Sequence, residues 1–62
     1  MELTLNEAEA NELRTLLDGS LGDLSSEIAD TDNPSFRLTL KERRTHLQAV
    51  RALLGPAGES AA

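Results

Sequence analysis

The chain has 62 residues, no cysteine, one histidine and a single aromatic side chain, and its net charge is −5. A chain of this length forms one small domain, and without cysteine it has neither disulfides nor thiolate metal ligands to stabilise it. A lone histidine argues against a zinc-stabilised fold, and a lone phenylalanine cannot build the stacking surface of single-strand nucleic-acid binders.

The first helix is predicted from about residue 7 to about residue 30, after an extended arm over residues 1–5. Asn6 and Glu9 have the spacing of a capping box, which marks a helix N-terminus. Each of Gly19 and Gly22 costs about 1 kcal/mol inside a helix. We nevertheless predict one continuous helix, because the apolar residues keep helical phase across both glycines. Those residues are Ala10, Leu13, Leu16, Leu17, Leu21, Leu24 and Ile28.

A turn is predicted at residues 31–33, and a second helix from about residue 34 to about residue 54. Pro34 disfavours helical backbone at Asn33, which suits an N-cap, and proline itself suits the first helical position. Gly55 followed by Pro56 is a strong helix stop. Residues 56–62 have little to bury, and we expect them to be disordered.

The fold class predicted is all-α, an antiparallel two-helix hairpin spanning residues 6–55. Pairing Leu24 with Leu40 and Leu17 with Leu47 aligns the apolar positions of the two helices. Arg14 and Arg43 then fall on the line of contact, with their charged ends expected to reach water or acidic side chains. The predicted hairpin core is Leu17, Leu21, Leu24, Ile28, Phe36, Leu40, Leu47, Val50 and Leu54.

A hairpin of two helices leaves several leucines outside its line of contact, and a second copy would cover them. We therefore predict a homodimer that forms an antiparallel four-helix bundle. Its predicted interface consists of Leu13, Leu16, Leu38 and Leu53.

The charges are unevenly divided between the two halves of the chain. Residues 1–32 carry nine acidic side chains and one arginine, whereas residues 33–62 carry five basic side chains and two glutamates. We interpret this as two oppositely charged helices lying side by side, with the charges selecting register and orientation. The alternative is a basic stripe for an acidic partner, made of Arg37, Lys41, Arg43, Arg44 and Arg51.

No constellation in the sequence indicates catalysis, a metal or a cofactor. Acidic residues share one face of the first helix, but the Glu-x-x-His pair of di-iron bundles is missing, and Lys41 occupies the position where a calcium loop needs glutamate. His46 follows Glu42 by one turn with no nucleophile nearby. We expect a protein that is not an enzyme. With no signal-like or membrane-spanning apolar run, we also expect it to be cytoplasmic.

The stretch EIADTDNPSFR at residues 27–37, followed by Leu40-Lys41, Leu47 and Leu53-Leu54, resembles a group of short bacterial proteins. That group carries the pattern L-x-x-E-I-x-x-T-D-x-x-x-F-R-x-x-L-K between two amphipathic helices. The resemblance covers residues 24–54, while Gly19 and Gly22 depart from the good helix formers expected there. It implies a helical hairpin and no established function. The polar residues of the motif either close the turn or dock a partner: Glu27, Asp30, Asp32 and Arg37.

The function predicted from these features is a small protein–protein interaction or structural module, acting as a homodimeric helical bundle. The alternative is a Rop-like RNA-binding regulator that uses the basic second helix. That alternative rests on architecture alone, and the net negative charge disfavours phosphate binding.

Overall fold

The computed structural model describes residues 1–55, which form two α-helices packed against each other as a hairpin. Helix α1 spans Glu7–Asp30 and helix α2 spans Pro34–Leu54, with residues 31–33 between them. Residues 1–6 have no regular secondary structure, and no strand occurs in the described part of the chain. The all-α hairpin is confirmed. The tail predicted to be disordered, residues 56–62, lies outside the described residues.

Each helix begins at an asparagine whose side chain satisfies a free backbone N–H. The Asn6 Oδ1 accepts from the Glu9 N–H at 2.8 Å, and the Glu9 Oε1 accepts from the Asn6 N–H at 2.9 Å, which completes a capping box. The Asn33 Oδ1 accepts from the Phe36 N–H at 3.1 Å, and Pro34 follows as the first helical residue. These local signals account for the positions at which both helices begin.

Helix α2 ends at Gly55, whose φ of 69° and ψ of −178° lie in a region that only glycine adopts readily. Helix α1 ends differently, because Thr31 is extended while its N–H donates to the Glu27 carbonyl at 2.9 Å. The last turn of α1 contains no basic residue of its own, whereas that of α2 contains Arg51.

Helix α1 continues through Gly19 and Gly22 without a break, as its apolar phase predicts. A Cβ built at either glycine would meet nothing within 4 Å. These glycines therefore do not serve a close approach between α1 and α2.

The core lies in the half of the hairpin near the turn. Leu24, Ile28 and Leu40 form one buried cluster, with Leu47 packed against it. Leu40 is the most enclosed of the three, at 1% exposure. Leu17 is buried farther from the turn, and Leu21 and Leu54 are half-buried, so these seven predicted core residues lie between the helices.

Two residues predicted for the hairpin core are on the surface. Phe36 is 47% exposed and Val50 is 40% exposed. Their places against α1 are taken by half-buried arginines one position later in the sequence, because guanidinium groups can bond to carbonyl oxygens while their stems cover apolar surface. The residues concerned are Arg37 and Arg51, together with Arg44 in the place expected for Arg43.

Arg14 also departs from expectation, since its head group does not reach water. It is 5% exposed, and its Nε donates to the Gly55 carbonyl at 2.9 Å while its Nη2 donates to the Leu54 carbonyl at 2.7 Å. A third donor, Nη1, bonds to the Asn11 side chain. The buried guanidinium is therefore hydrogen-bonded, as burial of a charge requires.

Candidate interaction face

Helix α2 carries three lengthwise rows of side chains at seven-residue spacing, which is close to two helical turns. The leucine row packs toward α1, with an arginine row on one side of it and an outer row on the other. The leucine row is Leu40, Leu47 and Leu54; the arginine row is Arg37, Arg44 and Arg51; and the outer row is Phe36, Arg43 and Val50.

Helix α1 has an outer row of its own, Leu13, Ser20 and Glu27, also at seven-residue spacing. Leu13 and Val50 line the same groove, so the outer rows of the two helices lie on one side of the hairpin. We call this side the apolar face, defined by the two outer rows together with Leu16 and Leu53. Its opposite side carries the arginine row.

The groove occupies the open end of the hairpin, away from the turn, and has a volume of about 530 Å³. The arm before α1 forms one wall, which includes Leu3 and Leu5, and the two helices form the rest, which includes Leu13, Val50 and Leu53. Arg14 also borders the groove, but its guanidinium is bonded to carbonyl oxygens of the chain. The groove therefore offers mainly apolar surface.

A shallower pocket extends the same apolar area along α1. It is lined by Leu5, Leu13 and Leu16, with Glu9 and Glu12 at its border. Because it shares Leu5 and Leu13 with the groove, the apolar surface at the open end is continuous.

The residues predicted for the dimer interface do not all share this face. Leu16 is 64% exposed and Leu53 is 86% exposed, and both belong to the continuous apolar surface, as does the half-buried Leu13. Leu38 is exposed as well, but it stands two residues before Leu40, about 160° around the helix from the most enclosed side chain. The structure thus separates Leu38 from the other three.

The opposite side is polar, and two of its arginines, Arg37 and Arg51, form hydrogen bonds within the chain. The Arg51 Nε bonds to the Asp18 Oδ1 at 2.9 Å, and the Arg51 Nη1 donates to the Gly55 carbonyl at 2.8 Å. Arg37 donates to the carbonyls of Ile28 and Thr31. The basic residues of α2 therefore do not form one continuous stripe, because Arg43 lies on the apolar face and the arginine row borders α1.

The four polar residues at the turn that were candidates for docking a partner differ in exposure. Glu27, Asp30 and Asp32 are exposed, whereas Arg37 is half-buried and holds the end of α1. Among these candidates for docking a partner, Arg37 closes the turn and the three carboxylates face solvent.

Sequence reasoning missed the structural role of the arginines, although a signal was present. Arg37, Arg44 and Arg51 recur at the seven-residue spacing of a helix-packing row, which indicates that they border a helix contact. Arg37 bonds to backbone carbonyls of α1 and Arg51 bonds to Asp18, and the positions of these partners depend on the tertiary fold.

Within residues 1–55 no group of three or more histidine, cysteine, aspartate or glutamate side chains is arranged to hold a metal ion. Neither α1 nor α2 combines the length and the apolar character that crossing a membrane requires. Comparisons of the chain with protein-family models, with curated proteins and with solved structures give no match.

Proposed function

We propose that this protein is a homodimeric helical-bundle module, in which the apolar face of one hairpin packs on the apolar face of a second copy. The observation that carries the proposal is the exposure of large apolar side chains along one side of the hairpin: Phe36 at 47%, Val50 at 40%, Leu16 at 64% and Leu53 at 86%. The module acts by holding a rigid four-helix unit whose outer polar surfaces meet other proteins.

The energetic argument rests on how little the hairpin buries by itself. Among the described residues, only Leu40 has a large side chain below 2% exposure. Fully burying a large apolar side chain contributes about 1.5–3 kcal/mol, and domains of this size bury a small share of their surface. Covering the apolar face with a second copy adds several such side chains to the core.

The geometry of the face also suits a helical bundle. The outer rows recur every seven residues, which is the spacing of a helix-packing contact. Each hairpin contributes one row from α1 and one from α2, so two copies supply four helices around a shared core.

The mass in solution, measured by light scattering after size exclusion over a range of concentrations, tests the proposal. We expect twice the 6.7 kDa of the single chain. Val50→Glu and Leu53→Glu should each weaken the dimer, because each change removes apolar burial from both halves of the interface. A loss of about 3 kcal/mol per dimer corresponds to an increase of roughly a hundredfold in the dissociation constant.

Leu38→Glu provides the matched control, since Leu38 is 61% exposed but lies away from the apolar face. It should leave both the mass and the helicity measured by circular dichroism unchanged, whereas the dissociated fraction of Val50→Glu and Leu53→Glu should lose helicity, because the single hairpin buries few large side chains. A wild-type chain that stays monomeric at every concentration, or a Leu38→Glu variant that dissociates as readily as Val50→Glu, contradicts the proposal.

A further inference from the structure

We propose that the two hairpins of the dimer meet with their turns at the same end, so that α1 of each copy packs on α2 of the other. This inference rests on the proposed function, because it concerns the orientation of the second copy on the apolar face. The observations that carry it are the positions of the two charged residues within the outer rows.

Two-fold symmetry allows two ways of placing one apolar face on another. An axis parallel to the helices keeps both turns at the same end and sets α1 against the partner's α2. An axis perpendicular to the helices places the turns at opposite ends and sets each helix against its own copy. Neighbouring helices are antiparallel in both arrangements, so the side chains must distinguish them.

The contacts between the helices fix which residues lie at the same level. Arg51 bonds to Asp18 and Arg37 bonds to the Ile28 carbonyl. Arg43 lies between those arginines and is therefore level with the part of α1 near Asp23, about one turn from Glu27. At the open end, Val50 precedes Arg51 by one residue and is therefore level with the part of α1 near residue 19, between one and two turns from Leu13.

The same-end arrangement matches the outer rows in chemical character. Glu27 lies within about one turn of the level of the partner's Arg43, while Leu13 and the partner's Val50 belong to the same apolar open end, between one and two turns apart along the helix axis. Glu27 and Arg43 are the only charged residues in the two outer rows, and their charges are opposite. Two-fold symmetry forms the contact between Glu27 and Arg43 twice, so both charges of the outer rows have an opposite neighbour.

The opposite-end arrangement mismatches the same rows. Ser20 lies midway between Leu13 and Glu27, so an axis at its level places Glu27 on the partner's Leu13. The same axis crosses α2 near residue 46 and therefore places Arg43 next to the partner's Val50. A charge left on apolar surface without a partner is unfavourable.

The charge distribution over the two halves of the chain also favours the same-end arrangement. Residues 1–32 carry nine acidic side chains against one arginine, and residues 33–62 carry five basic side chains against two acidic ones. Setting α1 against the partner's α2 brings opposite charges together, whereas setting each helix against its copy brings like charges together.

Spin labels at single introduced cysteines measure the orientation directly, because the chain has no cysteine of its own. A label at Asp32→Cys marks the turn. We expect a distance between the two labels of about 15–30 Å for turns at the same end, since neighbouring helix axes lie about 10 Å apart. Turns at opposite ends place the labels more than about 35 Å apart, because the helix length then separates them.

A label at Thr45→Cys, on the exposed side of α2 near its middle, reports the dimer in either orientation. If the labels at position 45 show dipolar coupling but the labels at position 32 are more than about 35 Å apart, the protein is a dimer and the same-end orientation is wrong. Absence of coupling at both positions overturns the dimer itself, and the orientation with it. The two failures are therefore distinguishable.

Charge reversal tests the contact between Glu27 and the partner's Arg43. Glu27→Arg and Arg43→Glu should each raise the dissociation constant by on the order of tenfold at low salt, and the double variant should recover most of that loss. Lys41→Glu, at an exposed position of α2 outside the apolar face, is the matched control for Arg43→Glu. A double variant that binds no better than either single variant overturns the contact.

Discussion

Arg14 and Arg37 each cap the C-terminus of the helix to which the other belongs. Arg14 of α1 donates to the carbonyls of Leu54 and Gly55 at the end of α2, and Arg37 of α2 donates to those of Ile28 and Thr31 at the end of α1. The last carbonyls of a helix lack partners within it and carry partial negative charge. These two arginine contacts therefore stabilise both helix ends and fix the register of the hairpin.

Arg14→Met should destabilise the fold by about 2 kcal/mol. Methionine keeps the apolar stem but removes the guanidinium, so the carbonyls of Leu54 and Gly55 lose charge-assisted hydrogen bonds. Thermal unfolding at one fixed protein concentration measures the change, because the stability of the proposed dimer would depend on concentration. Amide exchange in the last turn of α2 should rise as well.

Arg44→Met is the comparison for this variant. Arg44 belongs to the same row as Arg37 and is half-buried, but within residues 1–55 no hydrogen bond or ion pair of its side chain is formed. We expect a change of less than about 1 kcal/mol, since only stem packing is affected. Equal losses in both variants would show that capping is not what Arg14 contributes.

Gly19→Ala and Gly22→Ala should each stabilise the protein by about 1 kcal/mol, because alanine has the higher helix propensity and both sites have open space for a Cβ. In a domain of this size that corresponds to a rise in melting temperature of about 4–8 °C. Gly55→Ala should act in the opposite direction, because the φ of 69° at this position strains any residue with a side chain. Destabilisation at Gly19 or Gly22 would reveal a neighbour against this surface of α1.

Asn6→Ala and Asn33→Ala should each cost about 1 kcal/mol of stability, since each removes the side-chain oxygen that accepts from a free N–H of the first helical turn. Adding Glu9→Ala to Asn6→Ala should cost less than the sum of the separate changes, because the two side chains form one capping box. Chemical denaturation curves of the single and double variants measure this coupling, and strict additivity would contradict it.

Asp18→Asn should lower stability by less than about 1 kcal/mol, because the carboxylate that bonds Arg51 is 59% exposed. The difference from wild type should shrink as salt is added, since screening weakens an exposed ion pair. Unfolding curves at low and high salt test this, and a loss independent of salt would indicate hydrogen bonding without a contribution from charge.

The local elements of this protein were determined by short stretches of its sequence. The capping residues Asn6 and Asn33, together with Pro34 and Gly55, act through their own backbone and that of their neighbours. The helix bounds therefore follow from interactions within a few residues. Leucine spacing likewise predicted that Leu17, Leu24 and Leu40 lie between the helices, because apolar positions at helical period must share a face.

The tertiary structure decided which side of α2 turns toward α1. Leucines at positions 40, 47 and 54 have the arginine row on one side and the row of Phe36, Arg43 and Val50 on the other. Hydrophobicity alone predicts that the second of these rows packs against α1. The structure places the arginines against α1, where Arg37 donates to the Ile28 carbonyl and Arg51 bonds to Asp18, and both partners come within reach only when the helices pack. Phe36 and Val50 are thereby left on the surface, where they create the face on which the proposed dimer depends. Periodicity determines which residues of α2 share a face. Which of the two rows beside the leucines packs against α1 is decided by contacts between the helices.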